Sequence, residues 1–199
     1  MDNYLGVLCR RFSETDPSQH AFYIYDGKVQ TNITYSEFLQ DILRVGGYFK
    51  NHKITGQHIA LISPSDYSLF VLFFAATITG NVSVILNAGL PVEMLKQQCQ
   101  KADVTLICAP SFISESLQAD STKLMVLDFD EMRSCNPMLL EDIAYKSKDE
   151  TIMLMFTSGT TGKSKAVEIT SGNLYSSAQS TNALYDLPGM EQAYHAIPR

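Results

Sequence analysis

Residues Thr157 to Ser164 read T-S-G-T-T-G-K-S, and Lys165 follows at once. Glycines let a backbone turn tightly and approach a ligand closely. Hydroxyls and exposed backbone N–H groups donate to phosphate oxygens, and a lysine adds a point charge for the same oxygens. The composition is that of a phosphate-binding loop. It matches the Walker A pattern G-x-x-x-x-G-K-[ST] at every fixed position but the first, where Thr157 stands for glycine. A Walker loop must open a helix whose N-terminus points its N–H groups at the phosphates. Here "KAVEIT" follows, with β-branched residues and apolar–polar alternation, which predicts a strand. Strand–loop–strand excludes the Walker reading unless a helix starts at Lys163.

The elements that must position this loop are legible upstream. "AFYIYDGKVQTNI" predicts a hairpin turning at Asp26-Gly27. "TYSEFLQDILRVGGYFKNH" predicts a helix, with Thr34 and Glu37 at capping-box spacing and Tyr35, Phe38, Leu39, Ile42, Leu43 and Gly46 on one face. "HIALIS", "VSVIL", "VTLICA" and "KLMVLDF" are continuous apolar runs that predict buried strands. Helices are expected between them: "SDYSLFVLFFAATITG", capped by Ser65 or Asp66 and stopped at Gly80; "LPVEMLKQQCQKA", with Pro91 in its first turn; and the short "SFISESLQA". Residues 129–150 are more polar and read as an irregular connection. "TIMLMF" is the strand that leads into the loop. Alternating strands and helices with wholly apolar strands give the fold class: α/β, a mostly parallel sheet flanked by helices.

Beyond the loop itself, "LMFTSGTTGKSKAVEIT" resembles the signature of the adenylate-forming superfamily: acyl-CoA synthetases, peptide-synthetase adenylation domains and luciferases. Its loop reads approximately T-S-G-T-T-G-x-P-K-[GA]-V. Thr157, Ser158, Gly159, Thr160, Thr161 and Gly162 agree, and Lys165 falls on the loop lysine. Ser164 replaces the usual proline, and Ala166 stands where glycine is commonest. Ser171 stands where many members have histidine in T-H-x-N, whereas Asn173 matches. The upstream region is similar as well: a T-Y-x-E-L helix, a G-D-x-V-A strand with Gln57 in place of aspartate, and Ile85-Leu86-Asn87 at the P-L-N place.

The resemblance implies an ATP-dependent carboxylate–AMP ligase, with ATP and Mg2+ as cofactors and a small-molecule carboxylate as substrate. The acceptor it implies is a thiol, of coenzyme A or of a carrier protein. It assigns phosphate binding to Thr157, Ser158, Gly159, Thr160, Thr161, Gly162 and Lys165, leaves Lys163 facing solvent, and makes the Ser171 position a determinant of acyl specificity. It assigns no metal ligand, and the family's catalytic lysine lies beyond residue 199. Residues 1–199 are thereby expected to be the amino-terminal portion of the AMP-binding large domain, without the C-terminal lid, and inactive alone. The alternative is a non-catalytic binding or scaffolding remnant of such a ligase.

The bulk properties agree. The chain has 199 residues, 45% hydrophobic and 18% charged, with net charge −6. That is a globular composition with no electrostatic invitation to nucleic acid. The longest apolar run is too short for a membrane span, which needs about 20 residues. Cys9, Cys99, Cys108 and Cys135 have no metal-ligand spacing, and a cytoplasmic protein with reduced thiols is expected. His20, His52, His58 and His195 form no metal or triad spacing, and Asp128, Asp130 and Glu131 read as a polar strand end.

Overall fold

The apolar runs in the middle of the chain form strands buried on both faces. The computed structural model describes residues 4–26, 29–63, 66–109, 111–118, 124–157 and 165–184. Strands β3 (His58–Ile62), β4 (Val82–Leu86), β5 (Leu106–Cys108), β6 (Met125–Val126) and β7 (Thr151–Thr157) are parallel. With the antiparallel edge strand β8 (Lys165–Thr170) they make a six-stranded sheet of order β6-β5-β3-β4-β7-β8. A separate antiparallel pair, β1 (His20–Asp26) and β2 (Val29–Thr34), is the expected hairpin. Gly27, in its turn, lies outside the described residues.

Side-chain alternation along β3 divides the core in two. Ile59 and Leu61 join one cluster with helices α1 (Tyr4–Glu14), α2 (Tyr35–Asn51) and α3 (Tyr67–Ile78). Ala60 and Ile62 join the other, with α4 (Val92–Lys101) and α5 (Ser111–Gln118). Period-2 strands present alternate residues to opposite faces, so one sheet organises both layers. An aromatic group fills the first layer: Phe38 lies within 6 Å, ring to ring, of Phe12, Phe22, Tyr67 and Phe74.

The helix ends follow the sequence signals. Thr34 caps α2: its Oγ1 accepts from Glu37 N at 3.1 Å, and the Glu37 carboxylate accepts from Thr34 N at 2.8 Å. Asp66 caps α3, accepting from Leu69 N. Helix α3 is buried around most of its circumference, which explains its unbroken apolar sequence. It ends at Thr79, and Gly80 continues at φ +84°, a conformation that glycine adopts without strain.

Two expectations need correction. Residues 129–150 are not wholly irregular: Phe129–Arg133 form α6, and Leu140–Asp142 a 3-10 turn. Asp128 caps α6 by accepting from Glu131 N at 2.8 Å, so it and Glu131 act as helix-start residues rather than a strand end. Among the described residues the fourth strand is Met125–Val126, where it pairs with β5, and the chain turns into α6 at Asp128. Among the described residues no helix is long and apolar enough to cross a membrane.

Candidate functional site

Thr157 ends β7 and Lys165 begins β8, and the two stand directly opposite each other in the antiparallel ladder. Both are exposed. The chain between them, with Ser158, Gly159, Thr160, Thr161, Gly162, Lys163 and Ser164, lies outside the described residues. As expected, "KAVEIT" is a strand, β8, and not the helix that a Walker loop must open.

The position suits a ligand. β7 runs parallel to β4, so Thr157 lies at the carboxyl end of the parallel strands, where open α/β sheets bind small molecules. Strand alternation puts Thr157 and Lys165 on the same face as the opposed, exposed pair Met155 and Val167. Leu154 and Phe156 point the other way, into the layer of α4 and α5. The core thus anchors one face of β7 and leaves the face of Thr157 and Lys165 open to solvent.

Beyond β8, helix α7 (Ser171–Leu184) starts within Ser171–Asn173, where the sequence "SGNLYSSAQSTNALY" predicts a helix, and a corner at Thr170 secures it. Asn173 Oδ1 accepts from Thr170 N and from Thr170 Oγ1, each at 3.0 Å, while Asn173 N donates to Thr170 Oγ1 at 3.1 Å. This is a reciprocal helix cap, and its signal was the T-x-x-N spacing. Ser171 N donates to Glu150 O at 3.2 Å, and Gly172 N to Lys148 O at 2.8 Å. Ser171 is 2% exposed, and its hydroxyl accepts from Tyr4 N at 3.4 Å. The residue expected to influence acyl specificity is therefore covered by α1 and turned towards it.

His52 and His58, also singled out, make structural contacts. His58 Nδ1 lies 2.6 Å from Ala102 O, and His52 stacks on the Tyr48 ring. His195 lies outside the described residues. Cys9, Cys99 and Cys108 are buried free thiols, and Cys135 is half-buried. Burial pushes Cys9 and Cys108 up to about 12 and Cys99 to about 11. Among the described residues no group of three or more His, Cys, Asp or Glu could hold a metal ion.

Two cavities are lined by neither Thr157 nor Lys165. One, of about 430 Å³, opens at the carboxyl ends of β3, β5 and β6 between Ser63, Asp66, Ser114 and Asp128. The other, of about 350 Å³, lies beside α2 and contains the Asp41 ion pair. There Asp41 accepts from Arg133 Nη2 at 2.8 Å and from the Tyr67 hydroxyl at 2.9 Å. Burial, then the bond to Asp41, holds the Tyr67 phenol well above its usual range.

The chain is similar to known proteins over nearly its whole length. A 2-succinylbenzoate–CoA ligase from Oceanobacillus iheyensis is 33% identical over 178 residues, which cover 85% of this chain and 34% of that protein. A mitochondrial malonate–CoA ligase from Xenopus laevis is 29% identical over 134 residues, covering 63% of this chain and 23% of that one. This chain thus spans about a third or less of these relatives' lengths. The unliganded o-succinylbenzoate coenzyme A synthetase of Bacillus subtilis shares the fold, with TM-score 0.80 and 21% identity, over 100% of this chain and 39% of that one. The same enzyme in complex with ATP and magnesium ion matches with TM-score 0.77 and 23% identity, over 94% and 48%. The model of the AMP-binding enzyme family matches residues 9–197. With its strand–loop–strand at the carboxyl edge of a mostly parallel sheet, this chain belongs to the AMP-binding enzyme family.

Proposed function

We propose that these residues are the amino-terminal part of an ATP-dependent carboxylate–AMP ligase whose product passes to a thiol. The carrying observation is the strand–loop–strand with Thr157 and Lys165 facing each other at its mouth, in a chain of the AMP-binding enzyme family. Both side chains are free of the core, and one hydroxyl and one ammonium suit the oxygens of a polyphosphate. The reading places the ATP phosphates against Thr157, Ser158, Gly159, Thr160, Thr161, Gly162 and Lys165. Mg2+ arrives as the counter-ion of ATP.

In this reaction a carboxylate oxygen bonds to the α-phosphorus, and the bond from that phosphorus to its bridging oxygen breaks. The electron pair leaves with pyrophosphate. Negative charge grows on the β- and γ-phosphates, where preorganised donors stabilise it. Thr157 Oγ1 and Lys165 Nζ supply such donors from opposed strand ends. A thiolate then attacks the acyl carbon and AMP departs. The acceptor is coenzyme A, as the names of the ligase relatives suggest, or a carrier-protein thiol, as in peptide synthetases such as that of Gibberella zeae, 23% identical over 192 residues. The site is proposed to work in the cytoplasm, where four free cysteines stay reduced.

ATP–pyrophosphate exchange by the full-length protein against a panel of carboxylates tests the reading. Exchange is expected with at least one acid, and the combined Lys165→Ala and Thr160→Ala variant should lose about a hundredfold or more. An unchanged rate in that variant sinks the assignment. Residues 1–199 alone, about a third of the length of the first relative, are proposed to give no exchange. Activity of the isolated chain would overturn that part.

A further inference from the structure

Among the described residues, burial does not set the register of β8. Lys165, Ala166, Val167 and Glu168 are all exposed, and only Ile169 and Thr170 are half-buried. Among the described residues β8 pairs with β7 alone, at the edge of the sheet. A strand buried on neither face slips easily, and a slip of one residue turns every side chain to the opposite face. Such a slip would carry Lys165 away from Thr157 and reverse the side to which its ammonium points. The ladder already contains one irregularity: Thr151 faces Thr170 and Met153 faces Ile169, so Ile152 is an extra residue. A bulge of this kind holds its place only where neighbouring contacts define it.

Those contacts lie at the far end of β8. Thr170 is closed onto Asn173 by three hydrogen bonds. The next two backbone N–H groups, of Ser171 and Gly172, are bonded to Glu150 and Lys148, in the segment that leads into β7. A Cβ on Gly172 would stand 2.8 Å from Lys148 O, so the chains meet too closely there for any larger residue. Thr151 Oγ1 reaches across to Glu168 Oε2 at 3.0 Å. The bonds of Ser171, Gly172 and Thr151 tie the end of β8 to the start of β7 and fit one register only, and the Asn173 bonds fix the Thr170 turn that aims the Ser171 and Gly172 N–H groups at that segment.

We propose that the β8–α7 corner is a register latch, and that Asn173 is a positioning residue which, from the far end of the strand, keeps Lys165 opposite Thr157. The latch is a property of the fold; its effect on ATP rests on the ligase reading above.

The opposed, exposed Met155 and Val167 report the register without touching the loop. In the full-length protein carrying Cys135→Ser, the pair Met155→Cys and Val167→Cys should form a disulfide readily under mild oxidant, because directly opposed strand residues have suitable geometry. Adding Asn173→Ala should slow that reaction about fivefold, the factor equivalent to losing a helix cap. Thr170→Val should do the same, and Asn173→Asp, which keeps the acceptor oxygens, should restore the rate. An unchanged rate in Asn173→Ala and Thr170→Val overturns the latch.

Without the engineered cysteines, Asn173→Ala should raise KM for ATP in pyrophosphate exchange about fivefold and leave KM for the carboxylate unchanged. Slower cross-linking with an unchanged KM for ATP overturns the positioning of Lys165. If the wild-type protein gives no exchange with any acid, the ligase reading fails, and the cross-linking rate still decides the latch.

Discussion

Single side chains in this protein divide into those the core has silenced and those left open. Cys9, Cys99 and Cys108 are buried thiols held well above the usual thiol range, whereas Cys135 keeps some exposure. At pH 8 a thiol-specific disulfide reagent should therefore titrate Cys135 in the folded protein and all four cysteines after denaturation, read as absorbance of the released thiolate. The buried Asp41 shows the opposite strategy, a charge kept because two donors satisfy it. Tyr67→Phe removes one of them and should cost about 1.5–3 kcal/mol in chemical denaturation, the range for hydrogen bonds to charged groups. Neither group was visible as a partner in the sequence. Asp41 lies on α2 outside the apolar face that its period defines, and Arg133 fell in a segment read as irregular.

At the scale of the element, α2 shows what local signals can and cannot reveal. Its capping box was readable from Thr34 and Glu37. The bonds from Thr34 hold the Glu37 carboxyl below its usual value of 4.5. A lowered folded-state pKa stabilises above the unfolded value and loses that contribution as pH falls through the folded one. The melting-temperature gap between wild type and Glu37→Ala should therefore be present at pH 6 and shrink as pH falls below 4.5 through the depressed folded value. The adjacent glycines carry a signal of another kind. A Cβ on Gly47 would meet the backbone carbonyl of Asn136, whereas one on Gly46 would meet the flexible end of Met138. Gly47→Ala should lower the melting temperature more than Gly46→Ala, the difference amounting to about 1–3 kcal/mol. The segment that crosses α2 is distant in sequence, bonded through Met138 N to Leu43 O, so no local pattern could announce it.

Across the whole molecule, one sheet separates two cores, and the aromatic group on one side joins elements from the first half of the chain. Phe38 touches rings from α1, β1 and α3. Phe38→Ala should cost about 3–5 kcal/mol, and circular dichroism and aromatic fluorescence should show the loss in one transition. The Thr157–Lys165 end of the sheet lies outside that cluster, which leaves its solvent-facing surface available for a ligand.

The sequence by itself determined most of the strands, the caps of α2 and α3, and the strand that follows the loop and distinguishes it from a Walker loop. These depend on hydrophobic period, cap residues and β-branched composition, which act over a few residues. Only the tertiary structure decided which parallel strands are neighbours, that Ser171 is covered by α1, and that Arg133 ties α6 to Asp41 of α2. Those outcomes come from packing and hydrogen bonds between segments tens of residues or more apart, and no short window of sequence contains both partners.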